Sequence, residues 1–147
     1  EVLLDPFCGT GSILIEAGFL DCRAVGADIE AKMVKGARLN LLHYGVDGIL
    51  FRADARKPPL NHVDAVATDP PYGRSATTKG LAPRNLLEES LHSVVEILRR
   101  GGFLCAAASS ELGLADLGGE AGLKAVESYL IPVHGSLTRE LTVFKRA

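Results

Sequence analysis

Apolar residues fall into short unbroken runs, and between these runs they recur every third or fourth position; the two patterns alternate along the whole chain. The run over residues 2–5 predicts a short buried strand, and the nearly all-apolar stretch 10–20 predicts a helix lying flat on a sheet. A second strand is predicted over residues 23–28. In the next segment Met33, Val34, Ala37, Leu41 and Tyr44 share one helical face, Lys32, Lys35 and Arg38 point away, and Gly45 supplies a stop. Strands three and four are predicted over 49–53 and 63–69, the latter ending abruptly at Pro70 and Pro71. Leu87, Leu91, Val94, Val95 and Leu98 mark an amphipathic helix stopping at Gly101 and Gly102, and residues 103–108 form a fifth strand. The Gly-rich stretch 111–122 is weakly helical. Residues 125–134 and 137–145, separated only by Gly135 and Ser136, predict an antiparallel hairpin. Pro132 cannot donate to a ladder, which puts the first hairpin strand on a sheet edge.

Strands alternating with helices imply a mainly parallel sheet covered on both faces. Five such strands closed by a terminal hairpin resemble the class I methyltransferase fold, in which the last strand inserts between the fifth and the sixth. The expected fold class is therefore α/β and Rossmann-like, a mainly parallel seven-stranded sheet with a C-terminal antiparallel hairpin. In open α/β sheets ligands bind outside the carboxyl ends of the strands, where the strand order reverses. A length of 147 residues, 47% of them hydrophobic, fits one core, so residues 1–147 are expected to form one domain. The chain opens at Glu1, without Met, directly on a strand, and is expected to lack an N-terminal partner region. No apolar run is long enough to span a bilayer and no leader pattern is present, so the cytoplasm is the expected location. Cys8, Cys22 and Cys105 are odd in number and widely spaced, and are expected to be buried free thiols rather than disulfides or metal ligands. A net charge of −2 argues against nucleic-acid binding by a general field and leaves room only for local basic patches.

Three sites carry candidate chemistry. The segment Asp5, Pro6, Phe7, Cys8, Gly9, Thr10, Gly11 reads as a strand, a glycine turn and a helix start, where backbone approaches a ligand and donates N–H groups. A plain structural turn and a nicotinamide or flavin domain use the same pattern. The third glycine of the dinucleotide fingerprint would fall at Leu14 and is absent. Asp28 ends the second strand, where a carboxylate accepts both hydroxyls of an adenosine ribose or caps the following helix. Asp54, after the third strand, is the expected partner of the adenine amino group or a solvated loop acid. Asp69, Pro70, Pro71 and Tyr72 close the fourth strand. An exocyclic base amine is a poor nucleophile because its lone pair is delocalised into the ring. The Asp69 carboxylate and the Pro70 carbonyl offer acceptors for its two N–H bonds, freeing the lone pair for in-line displacement. Tyr72 can stack on a flipped base. Guanine presents N1–H and N2–H donors side by side and so suits an acceptor-only carboxylate.

Read together, residues 5–11, 69–80 and 134–139 resemble the archaeal tRNA guanosine N2-methyltransferases that act on position 10 of the D-arm. The most specific part is Asp-Pro-Pro-Tyr-Gly-Arg-Ser running on through Thr77, Thr78, Lys79 and Gly80; His134, Ser136, Leu137, Thr138 and Arg139 form the second match. The resemblance implies S-adenosyl-L-methionine as cofactor, with Asp5, Phe7, Gly9, Gly11, Asp28, Ile29, Asp54 and Ala55 around it and no metal. It also implies a tRNA substrate recruited mainly by an N-terminal THUMP-type region that this sequence does not contain. Arg74, Lys79 and Arg84 follow the motif with no acid between Pro70 and Leu87, and topology brings His134 and Arg139 to the same mouth. All five are expected to contact RNA phosphates. Three alternatives remain open: an adenine-N6 or protein-glutamine methyltransferase, a non-catalytic nucleotide-binding module, and a nicotinamide oxidoreductase.

Overall fold

The computed structural model describes residues 1–71 and 80–147. Tyr72, Arg74 and Lys79 therefore lie outside the described residues. In chain order the elements are β1 (Val2–Asp5), α1 (Ser12–Phe19), β2 (Arg23–Asp28), α2 (Ala31–His43), β3 (Gly48–Arg52), β4 (Val63–Thr68), α3 (Pro83–Ile97), β5 (Leu98–Ser109), α4 (Leu114–Glu120), β6 (Leu123–His134) and β7 (Leu137–Arg146). A short 3-10 turn, Ser110–Leu112, precedes α4.

The sheet order is β3-β2-β1-β4-β5-β7-β6. β1, β2, β3, β4 and β5 pair in parallel, whereas β7 runs antiparallel between β5 and β6. The expected seven-stranded Rossmann-like sheet with its inserted last strand is thus the architecture present. The order reverses beside β1, and the turn joining β6 to β7 emerges at the carboxyl edge of the parallel strands.

Alternation along the strands divides the apolar side chains between two cores. Leu4 and Val25 join Leu91, Val94 and Leu117 of α3 and α4 around the buried Phe144. Leu3 and Ala24 instead pack with Leu14, Ala37 and Leu41 of α1 and α2. β7 is tied to α4 by a buried polar chain in which the Ala115 N–H and the Thr142 hydroxyl both donate to Glu140 Oε1, each at 3.1 Å.

Several boundaries differ from the pattern-based expectation. α3 ends at Ile97 rather than at the glycine pair, because Leu98 already pairs with Val63 of β4. The next matched pair is Ala65 with Phe103, so the intervening β5 residues form an excursion, and Gly101 takes φ +72 within it. The weakly helical stretch is broken by Gly113 (φ +68) into the 3-10 turn and α4. Tyr44, expected on the buried face of α2, lies past the helix end, where it is 54% exposed and meets Phe19 and His43 edge-on. Of the cysteines, none is paired and only Cys8 is buried; Cys22 and Cys105 are half-buried. β6 lies on the sheet edge, as Pro132 requires, with Tyr129, Leu130, Ile131 and Val133 exposed.

A Cβ on Gly118 of α4 would lie 2.2, 2.5 and 2.9 Å from three ring atoms of Phe144. Gly118→Ala is therefore expected to destabilise the domain by about 1–3 kcal/mol despite alanine's better helix propensity. Urea unfolding checks this, and an unchanged or raised midpoint would show that α4 shifts freely on the sheet.

Candidate functional site

The site is built on the ends of β1, β2 and β4. Asp5, the last residue of β1, is 1% exposed, and its Oδ1 accepts hydrogen bonds from the Thr68 hydroxyl at 2.7 Å and from the Phe7 N–H at 3.0 Å. Thr68 is the last residue of β4, so this one carboxyl group joins the glycine turn to the strand that presents Asp69. Burial pushes the Asp5 carboxyl up to about 7, against the lowering effect of its two hydrogen bonds, and the nearby charges of Asp69 and Asp28 raise it further. The same environment holds the Cys8 thiol at about 12, chiefly by desolvation, so Cys8 is an inert packing group.

Asp28 braces the turn from the other side. Its Oδ2 accepts the Gly9 N–H at 3.0 Å and its Oδ1 accepts the Glu30 N–H at 2.9 Å. The N-cap of α2 is Glu30, so Asp28 does not cap the helix through its side chain but closes a tight turn ahead of it. The two turn glycines have different physical reasons. Gly9 (φ +50) has nothing within 4 Å of a notional Cβ and faces open space. Gly11 (φ +90) would drive a Cβ to 2.9 Å from Leu41 Cδ1 and 3.3 Å from Ala37 Cβ, so it lets α1 and α2 approach. Leu14 explains its own departure from the dinucleotide pattern: it is fully buried, and its Cδ1 occupies the space where a Cβ on Gly26 would come within 2.3 Å. The glycine that permits close helix–strand packing sits on β2 instead of on α1.

Asp54 is not a solvated loop acid. Arg56 grips it through Nη2 (2.7 Å to Oδ2) and Nε (3.0 Å to Oδ1), and the Arg56 N–H adds a bond of 2.9 Å to Oδ1. Those bonds hold the Asp54 carboxyl below its ordinary range. Arg56 in turn meets Glu89 of α3 at 3.2 Å, and the Ser93 hydroxyl donates to the Arg56 carbonyl at 2.6 Å, which fixes the whole loop against α3. Ala55 is buried between these contacts, while Phe7 and Ile29 are half-buried, the Ile29 carbonyl accepting from Arg52 Nε at 3.1 Å.

At the end of β4, Pro70 is buried and Asp69 is exposed. Asp69 Oδ2 accepts from Arg139 Nη2 of β7 at 2.6 Å, a contact absent from the sequence-based expectation, which assigned Arg139 to RNA phosphates. Arg84 is likewise drawn onto protein, donating to the Leu112 carbonyl at 2.6 Å while its side chain remains at the surface. His134, the last residue of β6, is exposed, with Nδ1 3.2 Å from the Ser136 hydroxyl. The Asp69–Arg139 and Arg84–Leu112 contacts carried no signal in the sequence, since each joins residues far apart in the chain. Among the described residues no cluster of metal-ligating side chains occurs, and no helix is long and apolar enough to cross a membrane.

With three acids converging at the strand-order reversal, relatedness to known proteins becomes informative. The model of the RMKL-like methyltransferase domain matches residues 1–140. The chain belongs to this methyltransferase family. A relative named tRNA (guanine(10)-N2)-dimethyltransferase from Methanothermobacter thermautotrophicus is 49% identical over 146 residues, covering 98% of this chain and 43% of its own length. A protein named probable tRNA (guanine(10)-N2)-dimethyltransferase from Methanothermococcus thermolithotrophicus is 35% identical, covering 99% of this chain and 89% of its own length. Among solved structures, TrmN from Thermus thermophilus superimposes with a TM-score of 0.79 at 25% identity, covering 99% of this chain and 43% of that protein. The RMKL-like domain thus spans less than half the length of the first and third of these proteins.

The buried Asp5 carboxyl has a stability signature. Its folded pKa is raised above the unfolded value, so the folded state binds the extra proton between about pH 4 and pH 7. Stability is highest below that window, falls as pH rises through it, and levels off above. Between pH 5 and pH 8 the unsubstituted domain is expected to lose about 2–3 kcal/mol more than Asp5→Asn, which carries no charge at either pH. Urea unfolding of both proteins at the two pH values checks this, and equal losses would mean that Asp5 is not desolvated.

Proposed function

We propose that this domain transfers a methyl group from S-adenosyl-L-methionine to the exocyclic N2 of a guanosine in tRNA, at position 10 of the D-arm. The observation that carries the reading is the convergence of Asp5, Asp28 and Asp69 at the ends of β1, β2 and β4, beside a glycine turn whose Gly9 opens onto free space. The charges of Asp69 and Asp28 both raise the proton affinity of the buried Asp5, and three acids gathered this closely favour a cationic ligand. The donor set fits this cofactor, which when bound supplies an electrophilic methyl group on a positively charged sulfur next to an ammonium group.

Asp5 and the turn would hold the charged end. Asp28 uses one lone pair of each oxygen on backbone N–H groups and keeps another on each for the ribose hydroxyls. The Asp54–Ala55 loop, pinned by Arg56, would face the adenine. Asp69 and the Pro70 carbonyl accept the two N–H bonds of the target amine and localise its lone pair. Asp69 would also take up the proton that the amine loses on methylation. Tyr72, Arg74 and Lys79 lie outside the described residues and are assigned to base stacking (Tyr72) and to RNA phosphates (Arg74 and Lys79), together with the exposed His134 and Arg84, which keeps donors beyond its bond to the Leu112 carbonyl. Most tRNA affinity is assigned to a THUMP-type region outside these 147 residues; the relative from Methanothermobacter thermautotrophicus is more than twice this length, whereas the one from Methanothermococcus thermolithotrophicus is little longer than this chain. The location that follows from a tRNA substrate is the cytoplasm.

Asp69→Ala is expected to lower methyl transfer to tRNA by on the order of 10²-fold or more while leaving cofactor affinity within about twofold. Labelled-methyl assays with guanine-containing and adenine-containing RNA, followed by nucleoside mass spectrometry, test both base and residue. Methylation of adenine alone, or an active Asp69→Ala protein, overturns the proposal. Asp28→Ala is expected to weaken cofactor binding by about 1.5–3 kcal/mol, read by calorimetry. Unchanged binding removes Asp28 from the ribose.

A further inference from the structure

Arg139 and Asp69 are far apart in the chain, on different strands, yet they meet at 2.6 Å at the point where chemistry is proposed. Arg139 belongs to β7, where it pairs with Ser109 of β5 and Ile131 of β6. Asp69 follows the last residue of β4, on the far side of β5. The arginine therefore reaches across the end of β5 to the motif. Its strand is held in place by the next residue, Glu140, which is buried and bonded to Ala115 and Thr142. The guanidinium is thus delivered from a rigid element.

Both side chains are partly exposed, Arg139 at 32% and Asp69 at 43%, and an ion pair in such a place adds little to fold stability. The geometry gives it a different use. Among the described residues Asp69 is bonded through Oδ2 alone, so Oδ1 is left for the amine, and the charge-assisted bond to the guanidinium restrains rotation of the carboxylate.

We propose that Arg139 is the positioning residue for Asp69: it clamps Oδ2 and aims Oδ1 at the N–H of the base amine. The proposal rests on the reading of Asp69 given above. It replaces the expectation that Arg139 grips an RNA phosphate, because a guanidinium committed to Asp69 acts on the rate of the chemical step rather than on RNA affinity.

The test is a double-mutant cycle in a preparation that methylates tRNA, comprising the unsubstituted protein, Asp69→Asn, Arg139→Gln and the pair together. It is run on whichever base the unsubstituted protein methylates, so that a wrong base counts against the proposed substrate and leaves the cycle to judge Arg139. Arg139→Gln is expected to lower kcat by about 10-fold or more with KM for tRNA changed by less than about threefold. The double variant is expected to be no slower than Asp69→Asn alone, within about threefold, since Arg139 acts through Asp69. Arg139→Lys, which keeps the charge on the same strand, is expected to recover part of kcat. It also serves as the second variant should the glutamine protein lose cofactor binding. A raised KM with unchanged kcat and a shallower salt dependence would assign Arg139 to phosphate and overturn the proposal. Multiplying losses in the double variant, or no recovery with lysine, would overturn it as well.

Discussion

A carboxyl group that has lost almost all its water is an expensive thing to place at the end of a strand, and Asp5 is such a group. What makes the placement tolerable is local: the Thr68 hydroxyl and the Phe7 N–H both donate to Oδ1. Because those donors come from β4 and from the glycine turn, satisfying Asp5 also fixes the distance between the cofactor turn and the strand carrying Asp69. Asp28 then secures the turn from β2 through Gly9. Desolvation remains the largest cost, and the charges of Asp69 and Asp28 add to it.

A second constraint comes from strand order. If the hairpin simply followed β5 along the edge, β6 would lie next to β5 and β7 would be the outer strand. With β7 inserted, its first residues arrive at the carboxyl edge directly beside β5, and Arg139 comes within reach of Asp69. The buried Glu140 chain to α4 makes that arrival precise. Topology, more than any local motif, brings the fourth and seventh strands into one site.

The motifs themselves could be read from sequence because each is contiguous and sits where hydrophobic periodicity changes. The turn at residues 5–11 and the Asp-Pro-Pro segment both lie at strand ends that an alternating pattern already locates. Identity with relatives is read the same way, along the chain. Partnerships between side chains are not. Asp54 looked free for adenine, yet Arg56, two residues on, grips it only because Glu89 and Ser93 of α3 hold the arginine and its backbone in place. Gly11, expected in the ligand turn, also makes room for α2.

By itself the sequence determined the order and type of the elements, the parallel sheet with its terminal hairpin, and the residues that stand at its carboxyl edge. Helical and strand periodicities are set by neighbours within a few positions, so they survive without knowledge of the rest of the chain. Tertiary structure alone decided where α3 yields to β5, which glycine serves packing and which opens onto space, and that Arg139 belongs to Asp69. Each of these depends on which strands lie side by side and how closely helices approach them, and those distances exist only once the two cores have closed on the sheet.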